Sequence, residues 1–398
     1  MFLLLEIVVS KQVFNFKNIL KMKKIQMVDL KSQYEKIKTT VDASIQEVLD
    51  TNTYINGPLV HQFQKNLEDY LGAKHVIPCA NGTDALQIAM MGLDLKPGDE
   101  VITADFTFAA TVEVIALLQL TPVLVDVDIV NMNIDIEAIK KAITAKTKAI
   151  VPVHLFGRAA NMDAIMEIAA EHNLYVIEDN AQAIGADYIS KSGTKSKVGV
   201  IGHVAATSFF PSKNLGCYGD GGAIFTNDDK LAHIIRGIVN HGMYERYHHD
   251  VVGVNSRLDS IQAGVLNAKL PLLDEYNAAR RLAATKYNAA FAGNAHIITP
   301  DFDANENDHV FHQYVLRIID ADRNGLLQYL QDKQIPCAIY YPIPLHSQKA
   351  YVDTRYKEEQ FPVTNQLVKE VIALPMHTEL DDEQIKFITD SVLEFLNK

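Results

Sequence analysis

Short β-branched runs alternate with helical segments through the first half of the chain. The runs predict seven strands, at residues 75–79, 100–104, 123–126, 149–155, 175–178, 205–210 and 223–226. Such alternation is typical of a largely parallel sheet with helices on both faces. We therefore expect an α/β fold that binds its ligands at the carboxyl ends of the strands, where loops and helix N-termini gather.

Apolar residues at helical spacing precede and follow this region. They predict helices over residues 29–49, through Phe63, Leu67 and Leu71, and over residues 258–291 with a break near Pro271. The remaining predicted elements are a strand at 309–318, a helix at 323–333, strands at 337–341 and 371–374, and a last helix from residue 382. This pattern favours a large domain, residues 22–275, followed by a bridging helix and a small α+β domain, residues 276–398.

Composition narrows the class of protein. The chain has 398 residues, a net charge of −12 and three distant cysteines. Its acidic balance argues against binding nucleic acid or an anionic membrane through bulk charge. An odd number of cysteines without metal-type spacing suggests a reducing cytoplasm, no disulfide framework and no metal. Residues 1–21 lack the pattern of a signal peptide and read as an extension before the domain start.

A glycine opens the helix after the first strand, in the segment at residues 80–86. Backbone N–H groups at that terminus, with the Thr83 hydroxyl and the helix dipole, form a site suited to phosphate. A plain N-cap by Asn81 or Thr83 explains the same residues equally well. The segment is not a P-loop, because no Gly-Lys-Ser/Thr follows.

Two later strand ends carry further candidate groups. Phe108 lies at the mouth of the helix after the second strand, where it covers the face of a ring or packs in the core. Glu178 and Asp179 end the fifth strand, and only one of them can point into the cleft because side chains alternate. An inward Asp179 pairs with a pyridinium nitrogen or caps the next helix.

Lys213 follows the sixth predicted strand, beside hydroxyls and before a run of glycines. Burial there lowers the pKa of a lysine and frees its amine for carbonyl chemistry, whereas most lysines at strand ends are solvated. Phosphate cradle, ring cover, pyridinium acid and Schiff-base lysine thus occur on successive strand ends. A pyridoxal phosphate (PLP) site requires each of them.

Four segments carry a resemblance to a known family, at residues 79–86, 178–182, 208–222 and 253–259. They resemble the DegT/DnrJ/EryC1/StrS family of PLP-dependent sugar-nucleotide aminotransferases. The resemblance covers nearly everything after Met22 and implies fold type I, the aspartate-aminotransferase-like fold of PLP enzymes. It makes Lys213 the Schiff-base lysine and Asp179 the partner of the pyridine nitrogen.

The same resemblance assigns the other cofactor contacts. Gln182 would approach the ring hydroxyl, and Phe108 would stack on the ring. The residues implied for the phosphate are Gly82, Thr83, Ser208 and, from the neighbouring subunit, Asn255. An obligate homodimer with shared sites follows, with Arg257 near the neighbour's substrate.

Within the family, three segments look most like the C3 aminotransferases: residues 216–228, 246–249 and 341–346. The implied substrates are UDP-2-acetamido-2-deoxy-3-oxo-glucuronate and L-glutamate, in the biosynthesis of bacterial surface polysaccharide such as lipopolysaccharide. Arg257 or Arg246 would bind the uronate carboxylate. The remaining substrate candidates are His248, Tyr340, Tyr341 and His346. Relatives usually have histidine at the position of Tyr340, so the sugar contact there differs.

Other functions stay open on the sequence. Within the family, a C3 aminotransferase for a dTDP-3-keto-6-deoxyhexose and a C4 aminotransferase for a UDP-4-keto-sugar are alternatives. A PLP sugar dehydratase is disfavoured because such enzymes replace the lysine with histidine. A PLP-binding regulator without catalysis is the alternative from another class, and the chain has no basic DNA-reading segment.

Overall fold

The computed structural model describes residues 23–304 and 306–397. Its helices are α1 (Leu30–Thr51), α2 (Pro58–Leu71), α3 (Gly82–Gly92), α4 (Ala110–Leu117), α5 (Ile136–Ala142), α6 (Met162–His172), α7 (Asp229–Ile238), α8 (Ser260–Lys269), α9 (Leu273–Phe291), α10 (Arg323–Asp332), α11 (Pro362–Glu370) and α12 (Asp382–Leu396). Its strands are β1 (His75–Cys79), β2 (Glu100–Ala104), β3 (Thr121–Val125), β4 (Thr147–Val151), β5 (Tyr175–Asp179), β6 (Asp187–Ile189), β7 (Lys195–Lys197), β8 (Val204–Ser208), β9 (Gly222–Thr226), β10 (Met243–Glu245), β11 (His248–His249), β12 (Ile297–Ile298), β13 (Tyr314–Ile318) and β14 (Val371–Leu374). The predicted extension at residues 1–21 lies outside the described residues.

Seven strands form one sheet in the order β1-β9-β8-β5-β4-β2-β3. β9 runs antiparallel to β1 and β8, whereas the other neighbouring strands pair in parallel. All strands of this sheet except β9 therefore end at the same edge. The seven predicted runs coincide with these strands to within a few residues, and this edge is where the candidate residues gather.

Helices cover both faces of the sheet. Neighbouring residues of β5 show the two faces, because Val176 packs into one buried apolar cluster and Ile177 into another. α3 and α7 cover the Ile177 side with Leu86 and Ile235. Burial on both faces explains why these strands are continuously apolar.

A second sheet, β12-β13-β14, is antiparallel and lies in the C-terminal part of the chain. Its core joins Leu316 and Ile372 to Leu326 of α10 and Ile388 of α12. Tyr287 of α9 also packs in this core. The break predicted in the long helix is a 3-10 turn at Leu270–Leu272, between α8 and α9. The division into two domains near residue 275 stays a prediction.

Two predicted C-terminal elements need correction. Residues 337–341 do not form a strand, and only Ala338 makes an isolated bridge, to Ala373. Prolines at 336 and 342 bound this segment and limit backbone pairing on either side. Residues 309–313 are not part of β13, because Val310 donates to the carbonyl of Gly157 at 2.9 Å instead. No helix among residues 23–304 and 306–397 has the length and apolar character needed to cross a membrane.

Candidate active site

Gly82 begins α3 directly after β1 and lies against the end of β8. A Cβ at Gly82 would be 2.6 Å from the Cβ of Ser208, so only glycine fits there. Asn81 caps α3 by accepting a hydrogen bond from the Asp84 N–H at 2.8 Å. First-turn N–H groups have no partner inside their helix. Gly82 and Ser208, with Thr83 next in the turn, therefore form a polar pocket end suited to an anion.

Asp179 ends β5 and is 5% exposed. Its Oδ2 accepts a hydrogen bond from Thr111 Oγ1 at 2.7 Å, and its Oδ1 accepts one from the Ala181 N–H at 3.1 Å. Burial raises the pKa of Asp179 above its ordinary value, although these hydrogen bonds and the charge of Lys213 oppose the rise. A buried carboxyl of this kind is suited to pair with a basic ring nitrogen.

Glu178, the residue before it, is bound elsewhere. Its carboxylate accepts hydrogen bonds from three N–H groups within residues 199–202 and lies 2.9 Å from His154 Nε2. Because the Ala160 N–H donates to His154 Nδ1 at 3.1 Å, that nitrogen carries no proton and Nε2–H donates to Glu178. Burial alone would raise the pKa of Glu178, but the hydrogen bonds hold it below its usual value. The prediction that the two acids diverge agrees with this geometry.

Lys213 lies just beyond β8, in a turn that its N–H closes by donating to the Phe210 carbonyl at 2.8 Å. Its side chain is partly buried, and its ammonium makes no hydrogen bond or ion pair with residues 23–304 or 306–397. Burial lowers the pKa of Lys213 to about 8, and the charge of Asp179 opposes this shift. A lysine with this pKa supplies neutral, nucleophilic amine near physiological pH.

An aromatic group lies beside these residues. Phe108 is 58% exposed, so it is not a core residue, and its ring centroid is 6.3 Å from that of Tyr341. Tyr341 stacks on Phe156, and its hydroxyl accepts a hydrogen bond from Gln182 Nε2 at 3.1 Å. Gln182 Oε1 also accepts from the Phe156 N–H at 2.7 Å, which fixes both ends of the amide. Tyr340 is partly buried next to Tyr341.

The candidates from the β10–β11 hairpin are exposed. Arg246 and His248 are exposed, and the Arg246 guanidinium stacks over the Tyr247 ring at 4.9 Å. No hydrogen bond among the described residues links either side chain to Lys213. Their contact with the substrate stays a prediction.

Asn255 and Arg257 precede α8. Asn255 is exposed, and its backbone forms a bridge to Asn240. Arg257 is partly buried, and its Nη1 lies 3.4 Å from Asn240 Oδ1, a long hydrogen bond. The exposed Asn255 side chain can contact groups outside the part of the chain described, and Arg257 can do so beyond its long hydrogen bond.

His346 takes a different position from the one predicted. Its Nδ1 lies 2.7 Å from Asp105 Oδ2, its N–H donates to Asp105 Oδ1 at 2.7 Å, and its ring stacks on Phe361. Burial raises the pKa of Asp105 to about 6 despite the His346 contacts. His346 therefore anchors its loop to the end of β2, and this geometry favours a supporting role over the predicted substrate contact.

Comparison with known proteins identifies the chain. The model of the DegT/DnrJ/EryC1/StrS aminotransferase family matches residues 35–393. The chain belongs to this aminotransferase family. The family and the enzyme class predicted from the sequence are therefore confirmed.

Three relatives show which members of the family the chain is similar to. It is 47% identical, over 92% of its length and 98% of the relative's, to a UDP-2-acetamido-2-deoxy-3-oxo-D-glucuronate aminotransferase of Pseudomonas aeruginosa. A pleiotropic regulatory protein of Geobacillus stearothermophilus is 44% identical over 93% of the chain and 98% of its own length. The solved structure of NtdA from Bacillus subtilis with bound cofactor PMP has a TM-score of 0.87 at 28% identity, covering 95% of this chain and 86% of that one. The predicted fold class is thus confirmed.

Sequence reasoning missed several residues that this aminotransferase uses to build its pocket. Thr111 donates a hydrogen bond to Asp179. The only feature of the sequence that could have indicated this contact is a hydroxyl in the first turn of the helix that follows β2. The sequence carries no signal that pairs His154 with Glu178, because the fold alone brings the ends of β4 and β5 together. Phe156 likewise joins the aromatic group from a 3-10 turn that the strand pattern did not predict.

Proposed function

We propose that this aminotransferase transfers the amino group of L-glutamate to C3 of UDP-2-acetamido-2-deoxy-3-oxo-glucuronate, with PLP as its cofactor. The observation that carries the sugar is the 47% identity, over nearly the whole of both chains, to an enzyme of that name. The cofactor rests on membership of the family and on the relative solved with PMP.

The pocket fits PLP. Gly82 approaches Ser208 so closely that no Cβ fits between them, which places the Ser208 hydroxyl beside the N-terminus of α3, where a phosphate would bind. Asp179 lies near Lys213, close enough for its charge to affect the lysine, as a pyridine-nitrogen partner and a Schiff-base lysine require. Phe108 remains exposed and would cover the ring. Gln182 would have to give up its hydrogen bond to Tyr341 to donate to the ring hydroxyl.

When bound, PLP supplies an electron-withdrawing conjugated ring that weakens the Cα–H bond of an amino donor. Asp179 holds a proton on the ring nitrogen through its carboxylate. Lys213 would hold the cofactor through Nζ, and the same Nζ, when neutral and free, would accept the Cα proton of the amino donor and deliver it to the cofactor carbon on the other side of the donor nitrogen. The keto-sugar then reacts in the opposite direction, so the kinetics are ping-pong.

The substrate side is proposed to be completed by a second copy of the chain. Asn255 reaches the phosphate of the neighbour's cofactor, and Arg257 lies near its substrate. The side chains of Tyr247 and Val252, close by in sequence, are 76% and 86% exposed, which supports a protein interface at this face. Arg246 or Arg257 binds the uronate carboxylate, while His248, Tyr340 and Tyr341 contact the sugar. The homodimer acts in the cytoplasm, in surface polysaccharide biosynthesis.

A second candidate is a regulator that binds PLP without turnover. The name of the Geobacillus stearothermophilus relative favours it. The presence of Lys213 and Asp179 near each other argues against it, because a regulator has no need of a proton-transferring lysine beside a partner for the ring nitrogen.

The decisive experiment follows the cofactor absorbance of the purified protein. L-Glutamate should bleach it, and UDP-2-acetamido-2-deoxy-3-oxo-glucuronate should restore it, with 2-oxoglutarate and the 3-amino sugar as products. If the absorbance recovers only with a dTDP-linked 3-keto sugar or a UDP-linked 4-keto sugar, that sugar is the substrate and the proposed one is wrong. Absence of bleaching in protein that binds PLP would favour the regulator.

A further inference from the structure

The loop that carries Lys213 is closed at its base by its own backbone. The Cys217 N–H donates to the Phe209 carbonyl at 2.8 Å, which joins the two ends of the loop. Near its end, a Cβ at Gly216 would lie 2.3 Å from the Pro211 carbonyl oxygen, so the chain there folds back on itself. The direction of the lysine therefore depends on how this turn is held.

Lys269, the last residue of α8, holds the turn from outside. It is 1% exposed, and its Nζ donates to the Gly216 carbonyl at 2.7 Å and lies 4.5 Å from the centroid of the Tyr218 ring. No carboxylate among residues 23–304 and 306–397 pairs with it. Burial lowers the pKa of Lys269 to about 8, because keeping the charged ammonium out of water costs free energy. An apolar side chain would fill the same space without that cost, so the hydrogen bond is what the lysine adds.

A second residue of α8 holds the same segment. Gln262 lies two turns before Lys269 and so on the same face of the helix. Its Oε1 accepts a hydrogen bond from the Tyr218 N–H at 2.8 Å, and its Nε2 lies 3.4 Å from the Tyr218 carbonyl oxygen. A Cβ at Gly219 would come within 2.9 Å of that amide. One helix face thus fixes residues 216–219, immediately after the Lys213 loop.

We propose that Lys269 is a positioning residue for Lys213: by holding the Gly216 carbonyl it fixes the turn that directs the Lys213 amine toward Asp179. The proposal rests on the proposed function, because it takes Lys213 as the group that binds PLP. Without the ammonium, the Gly216 carbonyl loses its donor and the Lys213 amine samples more orientations. Misplacement of a reacting group by about 1 Å lowers rates by up to roughly 10²-fold.

The test is the reaction of apoenzyme with PLP. Lys269→Met keeps the length of the side chain and removes the donor, Gln262→Ala removes the second contact, and Lys230→Met, at an exposed site on α7, is the control. The rate of covalent attachment and the pH midpoint of the bound cofactor's absorbance are measured well below the melting temperatures. We expect Lys269→Met to attach PLP roughly tenfold more slowly and to shift the midpoint, with a smaller slowing in Gln262→Ala.

A purely structural lysine would give another result. Lys269→Met would then melt at a lower temperature but attach PLP at the wild-type rate with the wild-type midpoint, which overturns the proposal. If Lys269→Met does not fold, Gln262→Ala decides in the same way. Wild-type protein that forms no covalent bond with PLP would overturn the proposed function itself, and this inference with it.

Discussion

Two groups of candidate residues are held in opposite ways. The cofactor wall, defined by Gly82, Asp179, Ser208 and Lys213, lies on strand ends and is fixed by contacts within the chain. The proposed substrate rim, defined by Arg246, His248, Asn255 and Tyr340, lies on a hairpin and loops. Three of its four side chains are exposed.

This difference indicates which part of the site a single chain can build and which part we expect to need a partner. The wall is set by a parallel sheet, and its pKa shifts follow from burial inside a single chain. The rim has few internal contacts, so we propose that a substrate or a second copy of the chain fixes its geometry. We therefore propose that the chemistry of the enzyme resides in the wall and its specificity in the rim.

Removing the lysine of the wall should have the largest effect. We expect Lys213→Ala to lower kcat by at least about 10³-fold, because both the covalent bond to PLP and the proton acceptor are lost. The measurement is release of 2-oxoglutarate at saturating PLP. Lys230→Ala, at an exposed site on α7, should keep wild-type turnover. Turnover near the wild-type level in Lys213→Ala would place the chemistry elsewhere and break the comparison.

Most of the fold could be predicted from the sequence because buried parallel strands leave a strong local pattern. All seven strands of the large sheet and the break before α9 are local features of this kind. The predicted strand at 337–341 was wrong because its apolar residues pack against a buried apolar cluster of the large sheet, and a single bridge at Ala338 replaces a ladder. Whether this segment forms a strand depends on its pairing with residues distant in the chain, which the local pattern does not show.

The site divides along the same line. Asp179 and Lys213 could be found because they follow predicted strands whose ends meet at one edge. His346 could not be placed, because its burial depends on Asp105, 241 residues away along the chain. The same holds for Lys269, whose spacing on α8 gives no sign of the Gly216 carbonyl that it binds.

Asp179→Asn should change cofactor affinity and the stability of the apoenzyme in opposite directions. We expect affinity for PLP to fall by roughly 10²-fold, because the ring nitrogen loses its buried charged partner. The apoenzyme should instead become more stable at neutral pH. The pKa of Asp179 is raised above 3.8 by folding, so its ionisation at higher pH favours the unfolded chain, and asparagine removes that penalty.

Cofactor titration and thermal melts of the apoenzyme between pH 4 and 8 would measure both effects. Asp94→Asn, at a side chain that is 80% exposed, is the matched control and should change neither. An Asp179→Asn apoenzyme that melts below wild type throughout this range would show that the carboxylate stabilises the empty wall, contrary to the raised pKa.

Replacing an arginine of the rim should have the smallest effect and a different kinetic form. If Arg246 binds the uronate carboxylate, Arg246→Ala should raise KM for the nucleotide sugar roughly tenfold, through loss of a two-point charged contact. Bleaching of the cofactor by glutamate should keep its wild-type rate, because the wall is unchanged. Glu245→Ala, exposed in the same hairpin, controls for damage to β10 and β11 and should not raise KM. A slower glutamate reaction in Arg246→Ala would mean that the hairpin also shapes the wall, so that chemistry and specificity are not separate in this enzyme.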